Sequence, residues 1–340
     1  MKFHRIASNI AATLVVAALA APAGANNLRD LATVTNTDFA MFGYGGMSAI
    51  GNPGTDGTGT VTVSGISGTV TRALLVWHGP TNSPSDAVNA AVNFNGTPIT
   101  GANVGNSDNN CWINFDNSRA YQADVTGLVV GGNGSYALSG FVKGSYPGPA
   151  ADVNGVSLLV FYDDGNATNN RDIVVYLGND SNQPTVHDPP GWNVALAGVR
   201  YTSGTATLRL IVSDGQNVAD PEPLLLNATV IFPAGQIYDG ISLPAYGPSA
   251  ATLNGGLWDH KSADITSILA PGTNTLTLTS APINPAVADC LSLVATIFDL
   301  PAGAAPPPPE TIPTLSEGAL ALLALLTGGV AALQLRRRRA

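Results

Sequence analysis

AYQADVTGLVVGGNGSYALSGF, residues 120–141, and HKSADITSILAPGTNTLTLTSA, residues 260–281, are two versions of one phrase. Aligned without gaps, Ala123-Asp124-Val125-Thr126 falls on Ala263-Asp264-Ile265-Thr266, and Ser135-Tyr136-Ala137-Leu138 falls on Thr275-Leu276-Thr277-Leu278. Further on, ADVNGVSLLVFYDD at 151–164 answers VADCLSLVATIFDL at 287–300, and Trp112 and Trp258 precede the two blocks. A repeat this long, with its order preserved, is what one structural unit occurring twice would leave in a chain. In TLTLTS the leucines Leu276 and Leu278 alternate with threonines, the period of a half-buried strand.

The surrounding chain reads the same way. Apolar runs at 61–63, 70–78, 88–94, 135–142, 153–162, 172–177, 206–212, 224–232, 273–279 and 291–298 are separated by Gly, Asn, Asp and Pro. Short strands at that spacing predict an all-β fold, and nothing has the rhythm of a βαβ nucleotide-binding sheet. The expectation is two tandem, duplicated β-sandwich (jelly-roll-like) domains, 26–185 and 186–303. NDSNQPTVHDPPG at 179–191 reads as the linker between them.

The ends carry addresses. Lys2 and Arg5 precede an apolar stretch from Ile6 to Ala21, and Ala23-Gly24-Ala25 offers small residues for signal-peptidase cleavage before Asn26. Residues 1–25 are therefore expected to be a signal peptide. At the other end a Pro-rich linker, 304–311, leads into IPTLSE, an uncharged apolar run from Gly318 to Leu335, and Arg336, Arg337, Arg338 and Arg339. A helix over 318–335 would reach about 27 Å, enough for the hydrocarbon core. The arginines would hold its end in the cytoplasm and leave the body outside. Proline-rich chain is extended, so the linker should hold the body off the membrane.

Ile312, Pro313, Thr314, Leu315, Ser316 and Glu317, followed by helix and arginines, resemble the IPTL-CTERM sorting tail, a relative of the PEP-CTERM signal. Gly318 stands where that family usually places tryptophan. The resemblance implies an exosortase-like membrane protease as partner. It also implies a tail that anchors the protein transiently before delivery to the cell surface or extracellular matrix.

The body, 26–311, keeps a net charge of about −14, which argues against nucleic acid as a partner. Cys111 and Cys290 are the only cysteines. Export permits a disulfide between them, and two free thiols is the alternative reading. The loop YDDGNATNNRD supplies Asp163, Asp164 and Asp172 beside several asparagines. Ca²⁺ takes oxygen ligands of this kind, and the same residues are ordinary hairpin-turn residues. No other cofactor is implied.

His78, His187 and His260 lack a marked nucleophile, and no G-x-S-x-G elbow occurs. No catalytic residue is therefore assigned, and the protein is read as a non-enzyme. Trp112, Trp192, Trp258, Tyr146 and Tyr246 lie in or near loops, where rings could stack on sugars; loop-anchoring core residues is the alternative. The stretches ALLVWHG (73–79), VNFNG (92–96) and GVSLLVFY (155–162) resemble uncharacterised jelly-roll modules of bacterial surface proteins. A structural or adhesive surface role is the leading expectation, with extracellular polysaccharide or other surface proteins as partners. The rivals are a carbohydrate-binding module and a secreted glycoconjugate hydrolase, which would need two carboxylates converging in one cleft.

Overall fold

The computed structural model describes residues 28–47, 57–108, 115–142, 151–182, 191–216, 222–235, 237–243, 256–280 and 289–303. The signal peptide, Cys111, Trp112, Tyr146, His187, Tyr246, the whole Pro-rich linker and the whole sorting tail lie outside them.

The described chain is almost entirely antiparallel β-structure in three sheets. One four-stranded sheet has the order β2 (Gly59–Val63), β8 (Gly134–Ser139), β4 (Ala91–Phe94), β5 (Thr97–Thr100). A second has the order β11 (Asn193–Tyr201), β16 (Gly272–Ser280), β13 (Leu224–Leu226), β14 (Thr229–Phe232). The third contains nine strands. It runs β15 (Trp258–Asp264), β12 (Thr207–Ser213), β17 (Ser292–Pro301), β10 (Arg171–Ser181), β1 (Arg29–Gly45), β9 (Gly155–Asp163), β3 (Thr69–Thr81), β7 (Asn117–Asp124), β6 (Ala102–Asp108).

Strand β1 joins the two halves of this large sheet. Its first part pairs with β10, from Arg29↔Leu177 to Thr37↔Arg171. Its second part pairs with β9, from Asp38↔Tyr162 to Gly45↔Gly155. The change of partner falls beside Asn36, which takes a left-handed φ of 54° within a register shift. Asparagine tolerates that conformation because its short side chain can bond locally.

Three apolar layers follow from this arrangement. One lies between the first four-stranded sheet and β3, β7 and β9, around Val61, Leu75, Trp77, Phe94, Leu138 and Leu158. Another lies between the second four-stranded sheet and β10, β12 and β17, around Tyr176, Leu196, Leu210, Leu278 and Phe298. The third joins the remaining faces of the large sheet's two halves, with Leu74, Leu159, Phe161, Ile173, Ile211, Trp258 and Ile297. Strand β9 thus sends Val156, Leu158 and Val160 one way and Leu159 and Phe161 the other. That explains its unbroken apolar sequence, since a strand covered on both faces has no polar side to alternate with. Each fully buried side chain of this size contributes about 1.5–3 kcal/mol.

The apolar run at 224–232 is not one strand. Asn227 and Ala228 both have positive φ, 48° and 65°, and Leu226 pairs with Thr229. This is a two-residue hairpin of the primed type, whose twist matches that of the flanking strands. Composition marked the apolar residues but not this turn, because Asn-Ala lacks the usual glycine.

Candidate functional site

Among the described residues, a set of buried polar side chains gathers at the layer between the two halves of the large sheet. His78, at the end of β3, is fully buried, and its Nδ1 lies 2.8 Å from Ser213 Oγ on β12. Asn154 donates from Nδ2 to the same Ser213 Oγ at 2.9 Å and to Asp214 Oδ1 at 3.2 Å. Asn179 of β10 donates to Ser118 Oγ of β7 at 2.9 Å. On the other side of the layer, Ser157 Oγ of β9 lies 2.6 Å from His260 Nε2 of β15, and Trp258 Nε1 donates to Ser157 Oγ at 2.9 Å. These bonds tie β3, β7 and β9 to β10, β12 and β15.

The two Ser–His contacts do not make nucleophiles. Ser157 and Ser213 are wholly buried, so no substrate atom reaches either hydroxyl. Burial pushes His78 down to about 3 against the opposing hydrogen bond from Asn179. Burial, with the Arg209 cation, pushes His260 down to about 3. Both rings are neutral hydrogen-bonding partners at ordinary pH.

Carboxylates at this seam are also committed. Asp259 is buried and accepts from Gly240 N–H at 2.9 Å and Ser242 Oγ–H at 2.8 Å. Its pKa is raised to about 6, by burial first, with the Lys261 cation opposing. Asp289 accepts from Gln216 N–H at 3.0 Å and Cys290 N–H at 2.9 Å. Burial and then the charge of Asp214 push it well above the usual carboxylate range. Elsewhere Asp299 binds Arg171 Nε at 2.6 Å and Arg209 Nη2 at 2.7 Å.

The acidic loop after β9 brings Asp163 and Asp164 together with Asp38 of β1, each offering an oxygen within 4.8 Å of the others. Asp172 is directed elsewhere, fully buried and accepting from Asn36 N–H at 2.9 Å. The loop is also bonded as an ordinary turn. Asp163 accepts from Gly165 N–H and Asp164 from Asn166 N–H, while Asp164 N–H donates to Asp38 Oδ2. The Asn169 side chain, followed by Asn166 N–H, holds the Asp164 carboxyl below its usual range. Asp38 lies 125 residues before Asp163. Only strand pairing between β1 and β9 connects them, and no local pattern in the chain records that pairing.

Of the aromatic candidates for sugar stacking, Trp192 and Trp258 are core residues. Trp192 is 2 % exposed and donates from Nε1 to Asp180 O. Trp258 lies against Gly155, where an added Cβ would stand 2.4 Å from its ring. Trp77, Asn89, Arg119, Tyr121 and Asp152 line a crevice with no room for a water molecule. Trp77 and Tyr121 are each 1 % exposed there, so neither presents a ring face. Cys290 is disulfide-bonded.

Residues 311–339 match the IPTL-CTERM motif. The chain thus ends in a sorting tail of the class found on exported proteins, and processing by an exosortase-like system goes with it. No curated protein matches the chain. Among the described residues no helix is long and apolar enough to cross a membrane; the run at 318–335 lies outside them.

Proposed function

We propose that this protein is a structural or adhesive component of the cell surface or extracellular matrix, with no catalytic activity of its own. In this reading the helix 318–335 is a transient anchor, cut free by an exosortase-like membrane protease near Ile312. The observation that carries it is the IPTL-CTERM motif at 311–339 behind an exported body. The closed seam supports the non-enzymatic part, because its serines, histidines and carboxylates are spent on one another and on backbone N–H groups.

The body, on this reading, is one eight-stranded jelly roll duplicated. Counting strands by order of appearance, and setting the extra edge strand β6 aside, each set runs first-eighth-third-sixth in one sheet and second-seventh-fourth-fifth in the other. Local details agree. Ala73 N–H and Ala206 N–H each donate to a threonine hydroxyl, Thr126 or Thr266, at 2.9 Å. Asn95 N–H donates to Ala137 O, and Asn227 N–H to Thr277 O. The second copy then starts at β10, since Val174 and Tyr176 join the second core. On this reading the boundary falls in the 164–170 loop.

Intact mass of the protein recovered from separate cell fractions tests the sorting. A surface form ending near Ile312 is expected. A single form that retains Arg339 in the inner membrane would show a permanent anchor and defeat the proposal.

A further inference from the structure

The seam's outer end holds a group of residues that the surface role does not use. Lys261 lies on the edge strand β15, and among the described residues it is the one lysine. Its Nζ stands 3.4 Å from Asp239 Oδ1 and 3.7 Å from Asp259 Oδ1. The side chains of Lys261 and Asp239 are each 20 % exposed, and that of Asp259 is 0 % exposed. Asp259 and Lys261 are two apart on β15, so both project to the same face, toward the segment 237–243 that carries Asp239.

From this juxtaposition we propose that Lys261 and Asp239 are joined by an intramolecular isopeptide bond, with Asp259 moving the protons. The reaction is a condensation. Lys261 Nζ forms a bond to Asp239 Cγ, the C–O bond to one carboxyl oxygen breaks, and one water leaves. The ammonium gives up one proton to Asp259 before attack and Nζ gives up a second after it, and Asp259 passes both to the departing oxygen, which leaves as water, so no oxidant or external reagent is needed.

Three features fit. A carboxyl held toward its protonated form is the proton carrier this step needs, and burial gives Asp259 that character. Asp259 is also immobilised by Gly240 N–H and Ser242 Oγ–H, so it faces the pair in a fixed orientation. Finally, Arg119, Arg171 and Arg209 serve ion pairs elsewhere in the described chain. Here the cation is a lysine, an acylatable amine, whereas guanidinium is a poor nucleophile that stays protonated. The product would fasten the edge strand β15 covalently to the segment 22 residues before it.

The test is mass spectrometry of the exported protein after reduction of its disulfide. Expected is an intact mass one water below that of the processed sequence, and a proteolytic fragment pair containing residues 239 and 261 joined through their side chains. Lys261→Arg and Asp259→Asn should each restore the full mass. Asp239→Asn should give a product lighter by ammonia instead of water. A wild-type protein of full mass would overturn the proposal, and it requires no variant to fold. A cross-link found on Asp259 would overturn the roles assigned to the two aspartates.

Discussion

Asn95-Gly96 turns β4 into β5, and Asn227-Ala228 turns β13 into β14, at the same place in their respective sheets. Each pair has positive φ, 50° and 79° in the first hairpin, 48° and 65° in the second. Glycine adopts such angles freely, whereas alanine pays for its Cβ there. Similar contrasts recur elsewhere. Where Leu74 pairs with Leu159 in the first half of the large sheet, Thr207 pairs with Asp299 in the second. Asp299 then draws in Arg171 and Arg209. The backbone plan is shared and the side chains have been reassigned. Strand pairing needs only N–H and C=O groups, so ladders survive substitutions that change what each face does.

The strongest way to break the comparison is at the layer where the halves meet. Trp258→Ala should cost about 3–5 kcal/mol by leaving a cavity over Gly155, measured by urea unfolding. A loss no larger than that of an exposed substitution would show that the third layer does not hold the halves together.

Acid should act on the same layer. His78 has a folded pKa below its unfolded value, so its contribution is fully present above about 6.5 and is lost as pH falls toward about 3. That loss is on the order of 1.4 kcal/mol per pH unit in this window. Asp259 works in the opposite sense. Its folded pKa is raised to about 6, so its contribution is present below about 3.8 and lost as pH rises through 6. Stability measured against pH should therefore fall most steeply below about pH 4, where the aspartate no longer offsets the histidine. His78→Gln should flatten that acid limb, and an unchanged limb would count against the assignment.

Asp299→Asn should cost about 1–2 kcal/mol, since both arginines are partly exposed and screened. Its replacement thus separates the halves, because Leu159 at the equivalent ladder position has no charge to lose. At the hairpins, Ala228→Gly should stabilise by up to about 1 kcal/mol and Gly96→Ala should destabilise by a similar amount. Nothing lies within 4 Å of a Cβ added at Gly96, so the effect reads backbone conformation alone. Thermal melts would check both. The smallest effect is expected at Asp124 and Asp264. Each accepts from the N–H of the threonine two residues on, Thr126 or Thr266, and alanine at either site should lower the melting temperature slightly and equally.

Much of the strand content was legible. The runs at 70–78 and 153–162 correspond to β3 and β9, and alternation in TLTLTS marks β16. Strand β1 is not legible because TNTDFAMFGYG mixes polar and apolar residues without a clean period. Its neighbours change midway, so no single face pattern applies. Strands β7 and β15 overlap the repeated phrase, but RAYQAD and DHKSAD are polar enough to read as loops. Their polar residues are the ones that serve the seam and the Lys261 site. The acidic loop was half legible, Asp163 and Asp164 from their spacing, and Asp38 not at all.

The sequence by itself determined the β class, the internal phrase and the sorting tail, because each depends on residues that are near neighbours in the chain. Tertiary structure alone decided that β1 links two half-sheets, that the serines and histidines are buried against one another, and that Lys261 meets Asp239 beside Asp259. Those contacts come from strands folded face to face, and no local periodicity records which faces will meet.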